Sequence, residues 1–331
     1  MNTTTTMPSF RRSLCQLVLA VIGLVPAASA QSVDRAKQLF GDAKYAEAKS
    51  ELLAVQEAND RNAAVAYYLG RIAKIDNDGD EALRQFERAV QLEDANGLYH
   101  YWLGTAISDA AQRASTARMA LMARRVRKEW ERAVELDPNQ VDARLGLVSF
   151  YAIAPWFWGG SMDKARAQAT EIAKRSAMQG AMARGVVAQY EKKPAAEEAA
   201  YQQAIAVAPD SVEAYVALAD ALVRTGKAAE AFVTLDSYAK RRPGDHWALY
   251  HTGRIAGAAG QQLDRGEGAL QQFLAAPPSD TYAPTIALSH YWLGQIAEKR
   301  GAKATARGHY ETALKINPKS QLSKRALGAL K

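Results

Sequence analysis

The sequence contains almost no cysteine. Its single cysteine, Cys15, lies within the first thirty residues, a segment that we expect to be removed during export. Without thiols the mature chain forms neither disulfides nor cysteine-ligated metal sites, and thiolate catalysis is excluded. We therefore expect the stability of the mature protein to come from packing alone.

Histidine is also scarce, and no familiar catalytic motif is present. No two histidines stand at helical spacing with a glutamate between them, and the sequence lacks a Gly-x-Ser-x-Gly elbow, a phosphate-binding glycine loop and a cluster of catalytic carboxylates. The histidines are His100, His246, His251, His290 and His309. These absences predict a protein that is not an enzyme and that uses neither a cofactor nor a metal ion.

The N-terminal segment differs in character from the rest of the chain. Arg11 and Arg12 precede an apolar run at 14–25, and small residues end the segment at Ala30. This order is typical of a secretory signal peptide over residues 1–30, cleaved after Ala30. An uncleaved membrane anchor is the alternative, although the run is short for a bilayer span. We expect secretion across the inner membrane, with the periplasm as the destination.

After residue 31 there is no long apolar run and only a mild excess of positive charge. Loss of Arg11 and Arg12 leaves a net charge of about +5. This balance argues against nucleic acid as a partner of an exported protein. No remaining apolar stretch is long enough to cross a membrane.

A repeat of 34 residues runs along most of the chain. The clearest copy, from Val212 to Asp245, carries its marks at Leu218, Ala219, Gly226, Ala231, Leu235 and Pro243. This copy resembles the tetratricopeptide repeat family, whose pattern places small residues, a turn glycine and a final proline at these offsets. Further copies cover residues 63–96, 97–140, 178–211, 246–279 and 287–320. The string at His100–Gly104 returns unchanged at His290–Gly294, which favours structural roles for both histidines.

The resemblance implies a fold and a domain organisation. Such repeats form an all-α, right-handed solenoid of stacked antiparallel helix pairs, with the first helix of each pair on the concave side. We therefore expect a solenoid of seven or eight repeats over residues 31–320 and a capping helix over 321–331.

The resemblance also implies a binding groove. Positions that line the groove in this family correspond here to Tyr67, Arg71, Tyr101, Thr105, Trp247, Tyr250, Arg254, Tyr291 and Gln295. An aromatic groove with arginine anchors suits an extended peptide or a free C-terminal tail. Alternatively, several of the tyrosines pack against the next repeat. The lysines and asparagines with which some family members hold a terminal carboxylate are missing, so tail capture of that type is not expected.

Three segments depart from the repeat. An insertion within 108–136 is strongly basic and contains neither glycine nor proline, which predicts a long helix. Its basic face is either solvated or a patch for an acidic partner surface or anionic lipid. A turn at 154–161 carries Trp156, Phe157 and Trp158, which either wedge between repeats or form an exposed binding element. This turn is similar to one found in secreted bacterial tetratricopeptide proteins. A proline-rich stretch at 277–284 predicts an ordered loop or a slight break in the superhelix, with a hinge as the alternative.

Two functions remain open from the sequence. The first is a scaffold that binds a protein or peptide partner in the cell envelope. The second is a carrier of a small ligand, or an accessory of a solute transporter, with the ligand held in an enclosed apolar cavity. The oligomeric state is left open.

Overall fold

The computed structural model describes residues 32–278 and 283–330, and every regular element in these residues is a helix. The predicted signal peptide lies outside the described residues, as do residues 279–282 of the predicted proline-rich loop. The last two residues of that predicted loop, Ala283 and Pro284, belong to a helix. The chain divides into two compact units, of which the first ends at Ala143 and the second begins at Arg144.

The first unit is built from helix pairs. Its helices are α1 (residues 32–41), α2 (Tyr45–Ala58), α3 (Ala63–Ile75), α4 (Gly79–Leu92), α5 (Gly97–Ala111) and α6 (Thr116–Leu136). Helices α3 and α4 pack against each other, as do α5 and α6, and α4 also contacts α5. The 21 residues of α6 form the long helix that the basic insertion predicts.

The second unit continues the same arrangement. Helix α7 (Val141–Ile153) begins just before the unit boundary, and a 3-10 turn (Trp156–Trp158) follows it. The remaining helices are α8 (Met162–Ala173), α9 (Ala177–Tyr190), α10 (Pro194–Val207), α11 (Val212–Arg224), α12 (Ala228–Arg241), α13 (Trp247–Ala259), α14 (Leu263–Ala275), α15 (Ala283–Lys299), α16 (Lys303–Ile316) and α17 (Gln321–Ala329). Stacked helix pairs in both units confirm the predicted all-α, solenoid type of fold.

Small residues allow the two helices of a pair to approach closely. A Cβ atom added at Gly104 would lie 2.6 Å from the Trp130 ring, and one added at Gly294 would lie 2.3 Å from the Tyr310 ring. Gly185 faces Tyr201 in the same way. In each pair, a ring from the second helix therefore fills the space that the glycine of the first helix leaves open.

The turns and helix ends follow from local sequence. Gly226 and Gly301 have φ angles of +80° and +75° in the turns of their pairs, a region that glycine enters without steric cost. The Asn62 side chain accepts a hydrogen bond from the Val65 amide and caps α3. At the C-terminal end of the described chain, Leu327 and the buried Leu330 pack near Tyr310.

Candidate interaction surfaces

In the first unit, Arg71 joins three neighbouring first helices. Its guanidinium carbon lies 4.1 Å from the centre of the Trp102 ring of α5 and 5.2 Å from that of Phe40 of α1. An Arg71 nitrogen donates a hydrogen bond of 2.7 Å to the Tyr67 hydroxyl within α3. We call Phe40, Tyr67, Arg71 and Trp102 the Arg71 cluster. It holds the guanidinium by cation–π contacts.

Among the described residues, Arg71 differs from the neighbouring Lys74 in its charge pairing. Among the residues of the first unit that the structure describes, no carboxylate oxygen lies within 4.0 Å of an Arg71 nitrogen. Lys74, one turn later on α3, is different, because its ammonium lies 2.5 Å from an Asp109 carboxylate oxygen. Arg71 is therefore the half-buried cation of this surface that remains available to an external anion.

The two predicted tyrosines of the first unit are placed differently. Tyr67 is buried and its ring stacks on Tyr99 at a centroid distance of 5.2 Å. Tyr101 is half-buried, and its carbonyl oxygen accepts a 2.9 Å hydrogen bond from the Thr105 hydroxyl. Burial raises the pKa of both phenols, so both remain neutral donors at physiological pH. Tyr67 thus serves chiefly in packing and in holding Arg71.

In the second unit, Arg254 occupies the repeat position of Arg71 but has an acidic partner. Its guanidinium lies 2.8 Å from an Asp220 carboxylate oxygen of α11. Its second terminal nitrogen, Nη2, is buried and has no hydrogen-bond partner among the described residues. Burial, with a smaller contribution from Arg254, lowers the pKa of the adjacent His251 to about 3. This surface therefore holds a neutralised ion pair beside an uncharged imidazole.

The other predicted groove residues of the second unit form two separate contacts. Tyr250 is buried against Phe273, with half-buried Trp247 beside it. Gln295 donates a 2.5 Å hydrogen bond to the Tyr310 hydroxyl. Tyr291 is half-buried near the Tyr310 ring, and burial raises the Tyr291 pKa. Of these residues, Trp247 and Tyr291 keep the exposed surface that a partner requires.

The aromatic turn is rigid, and two of its rings are exposed. The amides of Trp158 and Gly159 donate 2.9 Å hydrogen bonds to the Pro155 and Trp156 carbonyl oxygens. The rings of Trp156 and Phe157 meet edge to face at 5.7 Å, and Phe157 and Trp158 do the same. Trp156 and Phe157 are exposed and Trp158 is half-buried. The sequence left open whether these rings wedge between repeats or are exposed. Trp156 and Phe157 are exposed.

Sequence reasoning missed two partners of Arg71. Phe40 lies in α1, where the repeat pattern is weak, and no signal in the sequence marks it. Trp102 could have been found, because it belongs to the repeated string His-Tyr-Trp-Leu-Gly. Trp102 follows Tyr101 directly and therefore projects from a different side of α5.

The described residues show neither a membrane-spanning helix nor a metal centre. None of the helices in 32–278 and 283–330 combines the length and apolarity needed to cross a bilayer. Within the same residues, no three histidine, cysteine, aspartate or glutamate side chains converge to hold a metal ion.

Two models of the tetratricopeptide repeat family match the sequence, over residues 191–255 and 287–320. No curated protein matches it significantly. A tetratricopeptide repeat protein from Parabacteroides merdae has a similar structure, with a TM-score of 0.53 and 13% identity over 92% of this chain and 99% of that one. At that identity the likeness concerns the fold alone.

Two further solved structures are similar at lower scores. YrrB, described as a tetratricopeptide protein with an unusual peptide-binding site, has a TM-score of 0.43 and 21% identity over 55% of this chain and 88% of that one. PilW, a type IV pilus biogenesis factor, has a TM-score of 0.44 and 14% identity over 76% of this chain and 95% of that one. The two model matches identify residues 191–255 and 287–320 as tetratricopeptide repeats, and the stacked helix pairs have the fold of such repeats.

Proposed function

We propose that this protein is a non-catalytic scaffold that binds a protein or peptide partner in the periplasm, with an acidic group of the partner held by Arg71. The observation that carries the proposal is the Arg71 cluster. It presents a guanidinium that is fixed by aromatic rings and that has no carboxylate neighbour among the described residues.

The geometry of the cluster favours recognition of a carboxylate. A guanidinium is planar and can donate two parallel hydrogen bonds to a carboxylate. Because Arg71 lies against the Trp102 ring and is bonded to the Tyr67 hydroxyl, less side-chain entropy is lost on binding than for a mobile surface arginine. A side-chain carboxylate or a free C-terminus of an extended peptide is the matching group.

The half-buried aromatic residues supply the apolar part of such a surface. Tyr101 lies beside Trp102 on α5, with ring centroids 5.3 Å apart. Tyrosine gives broad contact at a small entropic cost, since it has few rotatable bonds. The second unit, taken by itself, has half-buried aromatic residues of the same kind in Trp247 and Tyr291, whereas its Arg254 charge is already neutralised by Asp220.

The periplasmic location is supported by the N-terminal segment of the sequence, with its arginines, apolar run and small residues before Ala30. The test is direct. Cell fractionation should place the protein in the periplasmic fraction, and mass spectrometry should find Gln31 at the N-terminus. Recovery of an intact leader, or of the protein in the cytoplasm, would exclude the location and leave the binding surface untouched.

The binding proposal is tested by crosslinking the protein in native envelopes and identifying its partner. The Arg71→Gln variant should weaken binding of the recovered partner by roughly 10- to 150-fold, the range for losing a charge-assisted hydrogen bond. The Arg71→Lys variant keeps the charge but loses the planar donor pair, so we expect an intermediate affinity.

A matched control is available on the second helix of the same pair. Arg84 of α4 is exposed and pairs with Glu81 three residues earlier, so Arg84→Gln removes the same charge away from the Arg71 cluster. Equal affinities for the Arg71→Gln variant and the wild type, with Arg84→Gln also unchanged, would reject the proposed anchor.

A further inference from the structure

Three exposed large apolar residues of the second unit lie within five positions of one another at the aromatic turn. Trp156 is 83% exposed, Ile153 59% and Phe157 56%. Large apolar side chains that cluster at the surface commonly mark a binding site. We call Ile153, Trp156 and Phe157 the aromatic tip.

The aromatic tip is held in one conformation by its backbone. Besides the two hydrogen bonds of the 3-10 turn, the Ser161 amide donates to the Tyr151 carbonyl oxygen at 2.9 Å and ties the end of the turn to α7. Gly159 has a φ angle of +100°, and a Cβ atom at Gly160 would lie 1.7 Å from the Ala154 carbonyl oxygen. The turn thus needs both glycines, and it presents the rings without a loss of backbone entropy on binding.

Charge is missing from the whole segment that carries the tip. Residues 145–162 contain no charged side chain, although charged residues make up 23% of the chain. Charges resume at the start of α8, where Asp163 is paired with Arg166 at 2.5 Å. Insertion of the tip into an apolar medium therefore desolvates no charged side chain of residues 145–162.

An exposed cation, Lys164, follows the aromatic turn in the sequence. The Lys164 ammonium lies 5.4 Å from the centre of the Tyr151 ring. No carboxylate oxygen of the described part of the second unit lies within 4.0 Å of it. An exposed lysine that follows an apolar turn in the sequence is suited to the phosphate groups of a lipid surface.

The size of the tip distinguishes a lipid surface from a protein partner. Aromatic side chains cover about 150–250 Å² each, so the exposed parts of the three residues amount to roughly 400 Å². A stable protein interface buries about 800 Å² on each partner. Insertion into the interfacial zone of a bilayer requires no such area, and tryptophan is enriched in that zone.

We propose that the aromatic tip inserts Trp156 and Phe157 into the headgroup region of a bilayer that contains anionic lipid, with Lys164 contacting lipid phosphates. The insertion is peripheral, to a depth of about 5–10 Å. It is independent of the Arg71 cluster, so the Arg71→Gln variant should bind lipid as the wild type does.

The test is vesicle flotation with protein purified after export, its N-terminus verified so that the apolar run at 14–25 does not contribute. Vesicles of phosphatidylethanolamine with phosphatidylglycerol are compared with vesicles of phosphatidylcholine. We expect the Trp156→Ser/Phe157→Ser variant to lower the partition coefficient at least about tenfold on both. Lys164→Gln should lower it about fivefold on the anionic vesicles only.

The matched control removes apolar residues that are exposed elsewhere in the second unit. Val233→Ser/Leu322→Ser changes side chains that are 64% and 50% exposed, and it should leave the partition coefficient unchanged. Brominated acyl chains should quench wild-type fluorescence more than that of Trp156→Phe. The proposal is overturned if the wild type floats with neither kind of vesicle. It is also overturned if the Trp156→Ser/Phe157→Ser variant floats as well as the wild type. A protein partner lost by the aromatic variant without any lipid binding would likewise overturn it.

Discussion

The same five residues, His-Tyr-Trp-Leu-Gly, stand at 100–104 in the first unit and at 290–294 in the second. His100 is buried, its Nδ1 atom lies 2.7 Å from a Glu129 carboxylate oxygen, and its Nε2 atom lies 2.9 Å from the Asp94 carbonyl oxygen. His290 instead stacks on His309 at a centroid distance of 5.7 Å. Identical local sequence therefore fixes the helix position of a residue but leaves its chemistry to the opposing helix.

The pKa values of His100 and His290 are shifted in opposite directions. Burial lowers the pKa of His100. The hydrogen bonds to Glu129 and to the Asp94 carbonyl raise it by a larger amount, so the net shift of the pKa is upward. Burial lowers the pKa of both His290 and His309, and the His309 charge adds to the effect on His290.

The tryptophans of the two strings differ as well. Trp102 lies under the Arg71 guanidinium, whereas Trp292 approaches Gly257, with 3.1 Å between a ring carbon and a Cβ atom added there. Arg254, at the repeat position of Arg71, pairs with Asp220 instead. A single acidic residue on the preceding first helix thus decides whether the arginine is available to a partner.

The largest expected effect is on the free energy of unfolding, where substitutions of His100 and His290 should differ. His100→Leu leaves the Glu129 carboxylate buried without its partner, and we expect a loss of about 3 kcal/mol in the free energy of unfolding. His290→Leu removes a neutral imidazole and should cost less than about 1 kcal/mol. Chemical denaturation measures both, with hydrogen exchange of α5 and α15 to locate the change.

A rescue variant sharpens this test. His100→Leu combined with Glu129→Leu removes both polar groups, so much of the lost stability should return. Equal destabilisation by His100→Leu and His290→Leu would contradict the assigned difference.

The next effect is common to both strings. Gly104→Ala and Gly294→Ala place a methyl group against the rings of Trp130 and Tyr310, and each should destabilise the protein by about 1–3 kcal/mol through overpacking. Gly308 of α16 has no neighbour within 4 Å of an added Cβ atom. Gly308→Ala should therefore stabilise by about 0.5–1 kcal/mol. Thermal unfolding measures all three variants. If Gly308→Ala lowers the unfolding temperature as much as Gly104→Ala and Gly294→Ala do, close packing against the rings is not the reason for the glycines at 104 and 294.

The contribution of His100 to stability should change with pH in the opposite direction to the contributions of His290 and His309. Because the His100 pKa is raised, its contribution is present below its ordinary value of 6.5 and is lost as the pH rises through the raised pKa. Because the pKa values of His290 and His309 are lowered, their contribution is present above 6.5 and is lost as the pH falls below it.

Stability curves of variants across this pH range measure the two signs. On acidification, the wild type should gain stability relative to His100→Gln and lose stability relative to His290→Gln/His309→Gln. Parallel curves for the wild type and either variant would show that the corresponding histidine does not couple to folding.

The smallest effect concerns the arginines. A double-mutant cycle of Arg71→Gln with Trp102→Leu should give a coupling energy of about 0.5–1 kcal/mol, as expected for a cation–π contact. The matching cycle of Arg254→Gln with Trp292→Leu should give a coupling energy near zero. A larger coupling in the second cycle would mean that Arg254 also stacks in solution.

Much of the fold could be predicted from residue spacing, because small residues, turn glycines and helix-ending prolines have local physical reasons. The positions of Gly104 and Gly294 opposite large rings follow from the repeat. The exposure of Trp156 and Phe157 could not be derived, since a turn of apolar residues is compatible with both burial and exposure.

The sequence by itself determined the helical repeat, the shortage of groups for catalysis and the positions that face a neighbouring first helix, because each of these depends on residue type and spacing along one chain. Only the tertiary structure decided which of those positions are available: Tyr67 and Tyr250 are buried. Arg254 is paired with Asp220, whereas Arg71 has no carboxylate partner among the residues that the structure describes. The reason is physical. Burial and charge pairing depend on side chains that other helices supply, and the spacing within one repeat contains no information about them.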